Sequence, residues 1–370
     1  MVNTNAIIQK LKNKLNQEIR DHRVTKNKLN QSLRFNINNI IKIDPSLPLY
    51  TISNLSGNIE TYTWTQHGYT SIIFKNTNYL TGSGTANFFW NGPAAVNVMT
   101  IGGGSDGFYG NPSNRYAPGG YGGCGGGLAI GYLYIPDGNF TIFVGAPTSP
   151  DQTYGGTSSF TYINSDVIID PIVLSVISTG GSNIPGTASV NSTVMTQQPI
   201  IVDGQFGGAG GNSNNTYNEI AQNGGAANII NPAYNLGNIS LYCGNGGGGG
   251  ASYNYNGKPN GGSGGNGGNG GSGTEVANSQ GENYAGAGGG GGGGLGEPGA
   301  NGIVDDSTSG SGGDAGLIFN YGTNDFSSIV AFGNGGGGAA TESTSTPNNK
   351  PGKGSPGCVI ITFQNFQTFR

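Results

Sequence analysis

Histidine, cysteine and charge are all scarce in this chain, and each scarcity removes a class of chemistry. Of 370 residues only 2 are histidine, His22 and His67. A histidine relay needs that residue beside its nucleophile, and no Gly-x-Ser-x-Gly element introduces a nucleophile before a helix. His22 falls in a basic helical segment and His67 near an early strand, where a surface or turn role accounts for it. The 3 cysteines, Cys124, Cys243 and Cys358, lack metal-ligand spacing and are odd in number for a closed disulfide framework. The stretch Asp305-Asp306-Ser307-Thr308-Ser309-Gly310 lacks the alternating ligands and distal Glu of a helix–loop–helix calcium site. Gly257-Lys258 and Gly352-Lys353 end no phosphate loop, because neither lysine is followed by Ser or Thr and prolines stand at 259 and 351. No window approaches about twenty apolar residues, and residues 1–10 hold no apolar leader core, so neither a membrane span nor an export signal is expected. The reading is non-enzymatic, with no catalytic residue, no cofactor and no metal expected.

Charged residues make up only 9% of the chain, and they are unevenly placed. Residues 1–42 hold nine Lys/Arg against Glu18 and Asp21, whereas the remainder holds six against seventeen acids. A basic arm on an acidic body suits docking on a protein or polyanion, and equally suits a helix that needs charge on its solvated face. The body's negative balance disfavours nucleic acid, and no specific nucleic-acid partner is expected. Within the arm, Ile8, Leu15, His22 and Leu29 recur every seven residues, and Leu11, Ile19 and Leu33 extend the apolar stripe. The pattern predicts an amphipathic helix over 5–40 that self-associates, docks on another protein or packs back on the body. Asp44-Pro45 and Leu47-Pro48 end that register.

From Tyr50 the apolar period changes to two. Strands are predicted at Tyr62–Thr65, Ser71–Phe74, Ala86–Trp90, Val96–Ile101, Gly127–Ile135, Phe140–Val144, Thr157–Ile163 and Ile168–Ile177. Pro136-Asp137-Gly138-Asn139 is a strong turn between two of them. Many short strands without alternating helices argue for a mainly β fold with a sandwich or jelly-roll-like body. After Gly204 come glycine tracts, with 74 glycines in all. The chain then closes on Cys358–Phe363, a strand that must return to the sheet for a partner.

The tract GGSGGNGGNGGSG, Gly261–Gly273, repeats every three residues. Collagen is excluded, because it places glycine at only one position in three and fills the others with imino acids. A polyproline II-type backbone has three residues per turn, so this tract would carry two glycine-only edges and one ridge of Ser263, Asn266, Asn269 and Ser272. Ordering glycine costs about 1–2 kcal/mol per residue, against about 1 kcal/mol per hydrogen bond. Only tracts bundled together and anchored on the β body are therefore expected to be ordered. The alternative is a flexible Gly/Ser/Asn linker. The resulting organisation is a docking helix at 1–44, a β body at 45–203, a glycine-rich region of packed polyglycine II helices at 204–356, and a closing strand and tail at 357–370. Tyr/Asn-rich loops supply candidate partner-binding residues: Tyr116, Tyr121, Tyr253, Tyr255, Lys258, Asn283 and Tyr284.

Several segments carry a family resemblance: Val96–Gly104 (VNVMTIGGG), Gly119–Tyr134 (GGYGGCGGGLAIGYLY), Gly138–Gly145 (GNFTIFVG), Tyr154–Phe160 (YGGTSSF) and the terminal Gly357–Phe363 (GCVIITF). This order resembles glycine-rich domain virion proteins of large amoeba-infecting DNA viruses, and phage glycine-rich tail-tip adhesins. The resemblance implies a β body bearing polyglycine II helices, no enzymatic activity and a place in the virion. The basic helix at 5–40 departs from the usual adhesin pattern and suggests attachment to a capsid or fibre, by self-association or docking to another virion protein. The alternative the resemblance implies is an adhesin for a host-surface glycan or protein, with 253–260, 276–284 and 303–309 as its contact loops.

Overall fold

In the computed structural model, the described residues are 12–18, 20, 48–57, 59–66, 68–76, 83–108, 121–146, 155–163, 173–193, 195–208, 240–243, 276–277, 283–284, 329–333, 335–336 and 352–365. They form one short helix, 12–18, and sixteen strands. The first eight strands are β1 (Tyr50–Ser56), β2 (Ile59–Gln66), β3 (Tyr69–Asn76), β4 (Gly84–Trp90), β5 (Ala94–Ile101), β6 (Leu128–Ile135), β7 (Gly138–Val144) and β8 (Ser158–Ile163). The rest are β9 (Val173–Ser178), β10 (Ala188–Ser192), β11 (Ile200–Val202), β12 (Ser240–Cys243), β13 (Val276–Ala277), β14 (Asn283–Tyr284), β15 (Ile329–Phe332) and β16 (Cys358–Gln364).

Twelve of these strands build two antiparallel six-stranded sheets, ordered β1-β4-β7-β8-β9-β10 and β11-β6-β5-β16-β3-β2. The fold is thus mainly β, as the period-two patterning predicts. The closing strand returns as expected, and to the middle of its sheet. Ile361 stands opposite Ile72 of β3 on one side and Val98 of β5 on the other. The predicted Pro136–Asn139 turn also forms, with Gly138 at φ 137°, a value that favours glycine at this corner.

Alternation on each strand sends one set of side chains between the sheets. Phe74, Val96, Val98, Leu133, Val359, Ile361 and Phe363 from one sheet meet Phe88, Trp90, Phe140, Ile142, Phe160 and Val176 from the other in one buried cluster. Trp90 meets Phe363 edge-on at 4.8 Å between ring centroids, and Phe140 stacks on Phe160 at 4.9 Å. One polar bridge also crosses the gap. The hydroxyls of buried Thr100 and Ser178 lie 2.8 Å apart, and Ser178 Oγ donates to the Thr100 carbonyl at 2.9 Å. A second apolar cluster, including Ile73, Met99, Ile101, Ile130 and Ile360, occupies the other face of the β16 sheet.

At one end of this body the strands run on into glycine segments that belong to neither sheet. Residues 102–108 continue β5, 121–127 lead into β6, and 352–357 lead into β16. Segments at 145–146, 155–157, 179–187 and 203–208, with residues 333, 335 and 336, join them. Their hydrogen bonds do not follow a ladder. Along 102–108, the N–H groups of Gly102, Ser105 and Phe108 donate to the carbonyls of Gly127, Cys124 and Tyr121. Gly104 and Gly107 donate to Ser355 and Gly352, and Gly103 donates to Gly156. The neighbouring segment behaves alike: Gly122 and Gly125 donate to Gly208 and Gln205, while Gly123 and Gly126 donate to Gly336 and Gly333. A strand directs its bonds within one plane. Here donors repeat every third residue and point to three different neighbours.

The spacing between these backbones leaves no room for side chains. A Cβ on Gly102 would lie 2.0 Å from the Thr179 carbonyl oxygen, and one on Gly180 would lie 1.9 Å from that of Gly155. Of the described glycines in these segments only Gly333 has positive φ. Close approach, rather than left-handed backbone, is what requires glycine here. The described segments lie on both sides of residue 203. Gly261–Gly273, on which the expectation of packed tracts was centred, lies outside the described residues.

Candidate functional site

The far end of the glycine segments holds a pocket of about 500 Å³, lined by Phe108, Tyr121, Gly122, Cys124, Asn183, Phe206 and Gly207. Its position follows from the segment bonding. The Phe108 N–H donates to the Tyr121 carbonyl at 2.8 Å, which joins the ends of two adjacent segments and brings both aromatic residues to the rim. Asn183 sits in a tight turn, where Ser182 N–H donates to the Ile184 carbonyl and Ile184 N–H donates to Ser182 Oγ at 3.1 Å. Ser182 Oγ lies 3.2 Å from both Asn183 Oδ1 and the Ile184 carbonyl oxygen, and its one proton can go to either. Phe206 lies on the segment whose Gly208 and Gln205 carbonyls accept from Gly122 and Gly125.

Two of the rim aromatics are held out in solvent: Tyr121 is 54% and Phe206 63% exposed. Ile184, beside Asn183 in sequence, is 60% exposed. Large apolar side chains presented together on a braced backbone mark an interaction surface more often than a resting one. The floor, by contrast, is closed. Cys124 is buried, its N–H donates to Ser105 Oγ at 2.8 Å, and the same hydroxyl donates to the Ser182 carbonyl at 3.1 Å. Ser105 thereby ties three segments together beneath the pocket.

Burial pushes the Cys124 thiol pKa up, opposed in part by a backbone hydrogen bond from Gly207. The protonated thiol is therefore the form the fold prefers. Its contribution to stability is complete below the thiol's unfolded pKa and is lost as pH rises through the raised folded value. Iodoacetamide is expected to alkylate Cys124 in the folded protein about tenfold or more slowly than a free thiol at neutral pH. The rate should climb only above the ordinary thiol range. Mass spectrometry of the Cys124 peptide across pH checks this, and rapid labelling of folded protein at pH 7.5 would contradict it.

Of the expected partner-binding residues, Tyr121 stands on this rim. Asn283 and Tyr284 form β14, which pairs antiparallel with β13, Val276 standing opposite Tyr284 in the register. Tyr116, Tyr253, Tyr255 and Lys258 lie outside the described residues. In the expected docking helix, Leu15 falls in 12–18 and is 58% exposed, while Ile8, Leu11, Ile19, Leu29 and Leu33 lie outside the described residues. Gly352, considered above for a phosphate loop, instead accepts a hydrogen bond from Gly107 within the glycine segments. Asn183, Cys124 and Phe206 were not anticipated. The only sequence trace of Phe206 is a lone aromatic inside DGQFGG, where neither strand nor helix periodicity explains it.

Among the described residues no group of three or more His, Cys, Asp or Glu is placed to hold a metal ion, and no helix is long and apolar enough to cross a membrane. No protein-family model matches the chain, and no curated protein matches it significantly.

Proposed function

We propose that the chain is a non-enzymatic structural component of a virus particle, capsid-associated or part of a fibre. In this reading its jelly-roll-like body carries a packed bundle of polyglycine II helices. The observation that carries it is the three-residue repeat of hydrogen-bond donors along 102–108 and 121–127. A helix with three residues per turn and no internal hydrogen bonds offers its backbone groups in three directions, as these segments do. Such a bundle, continuous with both sheets, would be a stiff surface of very low charge, suited to the exterior of an assembly.

The N-terminal helix supplies the attachment in this proposal. Residues 12–18 are all exposed, so Leu15 is available to another copy or another virion protein. Deleting 1–44 is expected to leave the thermal unfolding of the body unchanged while abolishing self-association or incorporation into particles. Sedimentation of the full and shortened chains, with particle incorporation as a second readout, checks this. A shortened chain that assembles and incorporates like the full one overturns it.

A second reading, attachment to a host-surface glycan or protein, is favoured by one observation: the exposed Tyr121 and Phe206 rings flanking a preformed pocket.

A further inference from the structure

We propose that the pocket between Phe108, Tyr121, Asn183 and Phe206 binds the ring of an uncharged saccharide. The inference rests on the attachment reading and names its site and ligand class. A volume of about 500 Å³ lies within the range of sites that enclose small molecules, roughly 300–1,000 Å³. None of the described lining residues carries a charge, and burial favours the neutral form of the Cys124 thiol on the floor. An anionic or cationic ligand would leave its water shell without a compensating partner. An uncharged ligand would not.

The lining also specifies an amphipathic shape. Tyr121 and Phe206 offer broad apolar faces that stay half or more in solvent, suited to covering a flat C–H face. Beside them stand the Tyr121 hydroxyl and Asn183 Nδ2, neither engaged by a described residue. Asn183 Oδ1 lies within reach of the Ser182 hydroxyl, and no described residue occupies the amide nitrogen. A pyranose has both features, an apolar ring face and a girdle of hydroxyls that donate and accept. A purely hydrocarbon ligand would strand the carboxamide and the phenol. The floor is fixed by backbone bonds from Gly122 and Gly125 and by the Ser105 hydroxyl, so little ordering is required on binding.

The test uses the full-length chain on an array of neutral and sialylated oligosaccharides, with a panel of whole cells probed in parallel. The expected result is capture by neutral glycans only, with calorimetric affinity for the best of them falling about tenfold or more in Tyr121→Ala and in Phe206→Ala. Tyr121→Phe, which keeps the ring and removes the hydroxyl, should lose about threefold, as should Asn183→Ala. Melting temperatures should not change, since these side chains are exposed. Capture undiminished by the ring deletions, or capture of sialylated glycans alone, overturns the proposal. Binding to cells without binding to any neutral glycan overturns the pocket assignment and leaves the attachment reading standing. Binding to neither removes both.

Discussion

A chain ending at Gly357 is expected not to fold its β body. The strand lost, β16, lies between β5 and β3, paired along its length with both. Its Val359, Ile361 and Phe363 enter the core between the sheets, and Cys358 and Ile360 enter the cluster on the opposite face. Each such side chain contributes roughly 1.5–3 kcal/mol on full burial, so the five together supply about 10 kcal/mol. That matches the whole net stability of an ordinary domain, about 5–15 kcal/mol. Truncation also bares the facing edges of β3 and β5 in the middle of a sheet, where unpaired N–H and C=O groups promote aggregation. Loss of the cooperative unfolding transition, with rapid proteolysis, is the expected outcome. A synthetic peptide spanning 357–370 should restore the transition in trans. A truncated chain that melts like the full one would show that β16 is dispensable. Within the full chain, Ile361→Ala should cost about 2–5 kcal/mol by urea unfolding.

What the sequence made legible is the part of the molecule governed by strong period-two patterning. The expected strands Ser71–Phe74, Ala86–Trp90, Val96–Ile101, Phe140–Val144 and Cys358–Phe363 all lie within observed ones, Ala86–Trp90 and Phe140–Val144 because they bury an alternating apolar face and the other three because they bury apolar side chains on both faces. In the two six-stranded sheets, the strands passed over are β1, β10 and β11, which stand at sheet edges and are rich in Ser and Asn or very short. An edge strand buries little, so its sequence carries little signal. The glycine arrangement was harder to locate. Attention falls naturally on the long tracts, yet the described segments use runs of two or three glycines that extend strands, such as Gly102–Gly104 and Gly155-Gly156. What distinguishes them is the backbone they approach, and no sequence window contains that. The pocket was legible only through Tyr121, since Asn183 and Phe206 reach it from segments distant in sequence.

Replacing Gly180 by alanine should damage the protein more than the same change at Gly68, and the contrast separates two reasons for glycine. At Gly68 the backbone is left-handed, φ 79°, but a Cβ meets nothing within 4 Å. Gly68→Ala should therefore cost only the left-handed penalty, about 1–2 kcal/mol. At Gly180 φ is unremarkable for an L residue, but the Cβ would lie 1.9 Å from the Gly155 carbonyl oxygen. No flexible side chain stands there to give way. The obstacle is backbone, held by bonds from Gly155 N–H to the Gly181 carbonyl at 2.6 Å and from Gly181 N–H to the Gly103 carbonyl at 2.8 Å. Moving it by more than 1 Å strains three segments at once, and about 3 kcal/mol or more is expected. For a body of 150–250 residues that lowers the melting temperature by about 6–12 °C. Amide exchange should accelerate at Gly103, Gly155 and Gly181 together, because their N–H groups donate to the Gly156, Gly181 and Gly103 carbonyls and so link the segments that must move. If Gly68→Ala proves the more damaging change, or exchange rises at one of the three alone, the segments are not a mutually braced unit. The stiffness on which the proposed structural role depends would then be lost.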